Sequence, residues 1–392
     1  MDIIGDWPNL WNVIRRELRI WSRRPIYLLG SVGVIAFCAI FFLTFFRDGL
    51  PHDLPIAVVD NDNSSTSRNF VRQLDATQLG KVVQFDTFAE AREEMQRGKV
   101  YGICVIPENF NADIQAFRRP TFHYYLNGLY MVGGALAYKD ILTMINLTNG
   151  AVQREMFRAK GMNDAQIMNM IQPIIIDTHQ IGNVYTNYGY YLSNMLLPAI
   201  LTIVITIVLL YSFGAELKYG TSKHLIQTAG GSIIVAVAGK LIVYTILFST
   251  LGFILMILLY HIMHFPIAGS IFNMFIAIFL LVISSEAVAL LIIECLPVPR
   301  LALSIGALYS VLGISLSGFT LPAENLPSFV QGWAECYPLR HYYLFYVQEV
   351  IYGAGFAGWW LQVILMLLFL FVPMPLLKRL KSAYILRNYP VD

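Results

Sequence analysis

Six stretches of this chain are apolar over the length a helix uses to cross a bilayer, about 20 residues. They run over residues 26–46, 188–213, 233–260, 271–296, 301–318 and 359–377 of a chain of 392. Usage agrees: 57% of residues are hydrophobic and only 13% charged, where soluble domains carry about a quarter. The expected class is an α-helical integral membrane protein with six transmembrane helices. Residues 47–187, between the first two runs, are expected to form an α/β domain inserted there. A net charge of +2 points to no nucleic-acid partner, and the basic residues matter by location. The first run is too long and too late for a cleavable signal peptide, and no small-residue cleavage site follows it.

Location sets the orientation. Residues 1–25 interleave Leu10, Ile14, Leu18 and Trp21, at helical spacing, with Arg15, Arg16, Arg19, Arg23 and Arg24. That pattern reads as a helix lying in the membrane interface. With Glu17 the sole acid among the arginines, the positive-inside rule puts this end in the cytoplasm. Arg300, between Pro297 and Pro299 on one side and Leu301 on the other, marks a tight cytoplasmic turn, and Lys378, Arg379, Lys381 and Arg387 hold the tail (378–392) inside. Arg47, Asp48 and Pro51 end the first run, and Tyr185, Tyr188, Tyr190 and Tyr191 belt the second. Residues 319–355 are aromatic-rich and are expected to be extracytoplasmic and partly re-entrant.

Within the inserted region, strands are expected from Leu54 to Asp60, Val82 to Phe85, Tyr101 to Ile106 and Thr121 to Leu126. Helices alternate with them, capped at Ser64 and Thr87, so the sheet is expected to be at least partly parallel. Residues 128–180 read as mostly helical, with a break at Pro173. Four cysteines, Cys38, Cys104, Cys295 and Cys336, have no paired spacing; Cys104 falls in a buried strand, and a Cys104–Cys336 disulfide is a minor alternative.

The second and third runs are joined by a polar segment, residues 214–232, far longer than a simple return requires. It holds Glu216, Lys218 and Lys223, a Gly220-Thr221 turn, an amphipathic piece and a Gly-Gly break. A soluble partner could push on a short surface helix of this kind. No G-x-x-x-x-G-K-[ST] loop occurs, so the chain is not expected to hydrolyse ATP by that route. The G-x-G-x-x-G match at Gly353 has no strand before it and reads as a flexible entry to the last span. Asp60, Asp62 and Ser64 resemble the start of a calcium loop but lack its later ligands, and read as a capped turn. His261 and His264 lack a third ligand and are expected to be interfacial polar residues. Glu286, mid-span, marks either a pathway or a carboxylate bonded to Ser284, Ser285 and another span; Glu294, near the cytoplasmic end, needs no special account. Gly306, Ser310, Gly313 and Ser317 put small residues on one helical face, either for packing or to line an interface or path.

Three patterns carry a resemblance. Glu216, Gly220, Thr221, Leu225 and Thr228 are spaced E-x-x-x-G-T-x-x-x-L-x-x-T, with Gly239 and Lys240 opening the third run. The second comprises residues 56–64 with Ser67, Arg68, Ala89, Ala91, Gly98 and residues 105–110. The third is Pro322, Pro327, Tyr337, Pro338 and the Gly353 region. Over nearly its whole length the chain resembles a permease subunit of the type-2 ABC exporter family, in the subgroup with a large extracytoplasmic domain. One departure is Ala229, Gly230 and Gly231, where the family often has proline.

The resemblance implies a multi-pass protein of the bacterial inner membrane that pairs with a second permease copy, as homodimer or heterodimer. Separate ABC ATPase subunits would bind ATP and Mg, with no cofactor in this chain. It implies export of an amphiphile (drug, lipid or envelope compound) by alternating access, with the extracytoplasmic domain either capping the path or docking a periplasmic adaptor and outer-membrane channel. Force would enter through Arg15, Arg16 and Arg19 of the interfacial helix and through Glu216, Lys218, Gly220, Thr221, Leu225 and Thr228. Two alternatives are a proton-coupled transporter using Glu286 and a membrane-embedded lipid-modifying enzyme.

Overall fold

The computed structural model describes residues 7–47, 49, 53–77, 80–116, 118–128, 131–173, 179, 181–183, 187–320 and 322–386. Asp48, Pro51, Tyr185 and Arg387 lie outside the described residues. The chain is mostly helical and divides into two units, residues 1–49 with 180–392, and residues 50–179.

In the first unit six helices are long and apolar enough to cross a membrane: Pro25–Phe45, Tyr188–Lys218, Ile233–Ile262, Ile271–Cys295, Pro299–Leu316 and Phe356–Leu386. The second and fourth are mostly buried, whereas the first and sixth face outward along most of their length. One apolar core joins them. The helix Trp7–Arg23, the one the sequence reading expects to be the interfacial helix, precedes the first span.

Three boundaries differ from the sequence expectation, each for a physical reason. The second helix continues to Lys218, through residues placed in the polar segment, because nothing breaks it before Gly220 and its Glu216 charge is compensated. The fifth begins at Pro299, whose fixed φ suits the first helical position, so Arg300 lies in its first turn. The sixth is interrupted around Pro373 by 3-10 turns at Phe369–Phe371 and Met374–Leu376, then resumes as Leu377–Leu386.

Residues 319–355 fold into the helices Ser328–Ala334 and Pro338–Tyr346 and a π-turn, Val347–Ile351. Glu349 is buried and fastens this region to two spans. Its Oε1 accepts from Ser270 N at 2.7 Å and Asn273 Nδ2 at 2.8 Å, and its Oε2 from Trp359 Nε1 at 2.8 Å.

The second unit contains a four-stranded sheet, β1 (Leu54–Asp60), β2 (Gly80–Gln84), β3 (Gly102–Ile106) and β4 (His123–Leu126), in the order β2-β1-β3-β4. β1 is parallel to β2 and β3; β4 runs antiparallel to β3. Both faces are covered, as parallel strands require. Ile56, Val58, Cys104 and Ile106 pack on one side with Phe70, Leu74 and Ile141. Ala57, Val59 and Ile103 pack on the other with Ala91. Ser64 and Thr87 cap their helices through side-chain oxygens. Asp60 accepts from Asp62 N and Asn63 N at 3.1 Å each, the capped turn expected there. None of the four cysteines forms a disulfide.

Candidate functional site

The polar segment is built by its glycines. Gly220, at φ +66°, turns the chain out of the second span into the helix Ser222–Thr228. Gly230 and Gly231, at φ +65° and +84°, close that helix. Gly231 N donates to Ile226 O at 2.8 Å and Gly230 N to Gln227 O at 3.0 Å. That pairing satisfies two terminal carbonyls and needs left-handed backbone, which glycine adopts freely. The Ala-Gly-Gly departure therefore ends the helix by backbone conformation.

The short helix is two-faced. Ser222, Leu225 and Ile226 are buried, whereas Lys218, Gly220, Lys223, His224 and Gln227 are exposed. The helix Leu377–Leu386 holds it from below: Ser222 Oγ donates to Tyr384 O at 2.8 Å, and Lys381 Nζ to Gly231 O at 2.6 Å.

Beneath this segment lies a cluster of four charges drawn from three elements, with Glu17, Glu216 and Lys240 buried and Arg16 partly so. Glu17 and Arg16 come from the interfacial helix, Glu216 from the end of the second span, and Lys240 from the start of the third. Lys240 Nζ stands 2.8 Å from Glu17 Oε2 and 3.0 Å from Glu216 Oε1. Arg16 grips both oxygens of Glu216, each at 2.8 Å. Ser212 Oγ and Tyr244 OH donate to Glu17 Oε1 at 2.9 and 3.0 Å, and Thr221 Oγ1 to Glu216 Oε2 at 2.5 Å. Two cations balance two anions, and every carboxylate oxygen has a donor. Buried charge is tolerable only with that pairing. Gly239 permits the approach, since a Cβ there would meet Val13 Cγ1 at 2.6 Å.

Arg16, Glu216 and Thr221, named from the sequence, thus meet in one cluster. Leu225 is buried beside it, and Thr228 donates only to His224 O. Lys218, Arg15 and Arg19 are exposed, with Arg15 over the Trp11 ring. Sequence reasoning missed Glu17, Ser212 and Tyr244 and gave Lys240 no partner. Within the helix Trp7–Arg23, Val13 and Glu17 are buried, Leu10 and Trp21 pack partly against the core, and Leu18 is exposed. The available signal was Glu17 itself, a lone acid one turn after Val13.

The other candidates lie apart from this cluster. The small-residue face of the fifth span packs against its own chain at Gly306 and Gly313, as the packing reading of that face expects. A Cβ on Gly306 would fall 2.2 Å from Leu210 Cδ1, and one on Gly313 2.9 Å from Tyr337 Cδ1. Ser310 and Ser317 are buried and bond to carbonyls of their own helix. Glu286 is buried and accepts from Thr245 Oγ1 at 2.6 Å. Ser284 and Ser285, expected as its partners, instead donate to Leu280 O and Leu281 O. Glu294 is fully buried with neither oxygen hydrogen-bonded, which the sequence reading did not anticipate.

Six helices long and apolar enough to cross a membrane make this a multi-pass membrane protein, and comparison with known proteins gives its family. The chain belongs to the ABC-2 family of transporter proteins, whose profile matches residues 26–376. It is similar to the probable multidrug ABC transporter permease YbhR of Escherichia coli strain K12, with 21% identity over 347 residues, covering 85% of this chain and 87% of that protein. The same protein from Escherichia coli O157:H7 matches equally. The family implies ABC ATPase partners.

Proposed function

We propose that the chain is the moving wall of an ATP-driven exporter of the bacterial inner membrane, paired with a second permease copy. A separate ATPase would bind ATP and Mg and grip the exposed face of Ser222–Thr228 from the cytoplasm. In this reading both termini are cytoplasmic and residues 50–179 are extracytoplasmic, where they would cap the path or dock a periplasmic adaptor leading to an outer-membrane channel. The substrate would be an amphiphile, a drug, lipid or envelope compound, moved outward by alternating access.

The observation that carries this reading is the buried charge cluster. It ties the interfacial helix to the ends of the second and third spans, directly beneath an exposed patch containing Lys218, Lys223 and His224. A push on that patch would therefore tilt three elements as one body. The test is co-expression with the cognate ATPase. Stable co-purification is expected, with loss on Gly220→Pro and no ATP hydrolysis by the chain alone. Hydrolysis by the purified single chain would remove the reading.

A further inference from the structure

The described buried carboxylates fall into two groups. Glu17, Glu216 and Glu349 each meet several donors. Glu286 does not: Thr245 satisfies Oε2, and Oε1 is buried with no hydrogen-bond partner. Glu286 also differs from Asp140 and Glu294, the other described acids with a buried unpartnered oxygen, in lining the cavity between the third and fourth spans and the broken part of the sixth. That cavity has a volume of about 330 Å³. Its wall includes Leu241, Ile242, Ile283, Leu370 and Met374, and apart from Thr245 and Glu286 every lining residue is aliphatic, methionine or proline. No lining residue is basic. The sixth span is interrupted at Pro373, which itself lines the cavity.

An apolar groove alone would suit any hydrocarbon. The unpartnered oxygen is what narrows the choice. An ionised carboxylate in such surroundings is unfavourable unless a cation meets it, and otherwise it takes up a proton; among the described residues Thr245 gives Glu286 one neutral donor, on Oε2, and the cavity wall offers no cation. A ligand that brings a cation and a donor in one group is an ammonium carried on a hydrocarbon chain. We infer that the cavity between the third, fourth and sixth spans binds a lipophilic amine, with its ammonium donating to Glu286 Oε1 and its hydrocarbon lying against Leu241, Ile283, Leu370 and Met374. A lipid acyl tail, the competing occupant, would fill the groove but leave Glu286 as it is.

The site does not depend on which ATPase drives the chain, so binding is read apart from export. The full chain is reconstituted in lipid nanodiscs and photolabelled with a diazirine-bearing alkylamine, or with the alcohol of the same chain, and labelled peptides are mapped by mass spectrometry. The expected result is saturable labelling of peptides containing Leu241 or Met374. The amine should label at concentrations at least about tenfold below the alcohol, the ratio that a charge-assisted hydrogen bond in a dry site supplies. Glu286→Gln, which keeps the shape and an acceptor for Thr245, should bring the amine to the alcohol's level. Met374→Trp, which fills the groove without touching the acid, should abolish both. Equal labelling of wild type by amine and alcohol would overturn the proposal and leave a lipid-tail groove. Undiminished amine labelling of the Glu286→Gln protein would also overturn it.

Discussion

Lys240 is the residue on which the charge cluster balances. It is 1% exposed and touches both carboxylates. Replacing it with methionine would keep most of its volume but leave Glu17 with the neutral donors Ser212 and Tyr244 and a longer 3.7 Å pairing to Arg16. Removing one partner of a buried pair costs ~3–5 kcal/mol, so Lys240→Met should fail to accumulate or should lose that much in a denaturation assay in detergent. Adding Glu17→Gln should recover part of the loss, with a coupling energy of ~0.5–3 kcal/mol in the double-mutant cycle. Lys223 is the opposite case. It is exposed, so Lys223→Ala should change stability by less than about 0.5 kcal/mol, while weakening co-purification of the ATPase. None of these pairings was legible in sequence. Lys240 and Glu17 are 223 positions apart, and a hydropathy pattern assigns a glutamate among arginines to the wet face. What could be read was the local signal: Ser64 and Thr87 before helices, and Gly220 at a turn.

At the scale of elements, the interfacial helix seats on the third span only because Gly239 has no side chain. A Cβ there meets Val13, which is fully buried, so Gly239→Val should lift the helix away. Limited proteolysis at Arg15 and Arg19 should accelerate in that variant, while the cap-forming Ser232 and the span behind it stay protected. Strand β1 was read with its observed bounds, because an apolar run between polar turns has one sensible conformation. Span ends were read less well. The second helix overruns its expected end by five residues, to Lys218, since compensation of Glu216 by distant charges decides where that helix stops. The fifth span's small residues were legible as a face, but which neighbour filled it, Leu210 and Tyr337, depended on long-range packing.

The whole molecule offers a test of its sidedness through two native thiols. Burial pushes the Cys104 thiol up to about 12, so almost no thiolate is present at neutral pH. Cys336 is exposed. A membrane-impermeant maleimide should therefore label Cys336 from the outside of intact cells and spare Cys104 until the protein is denatured. Six helices and a separate α/β unit follow directly from run lengths and from alternation of strands and helices, which is why the architecture was readable while its interior charges were not. The central claim is that the exposed face of Ser222–Thr228 lies in the cytoplasm, under a separate ATPase. The direct measurement is maleimide labelling of Lys223→Cys in a Cys336→Ser background, with oriented vesicles. The account predicts labelling in inside-out vesicles and protection when the cognate ATPase is co-expressed; labelling confined to right-side-out vesicles would contradict it.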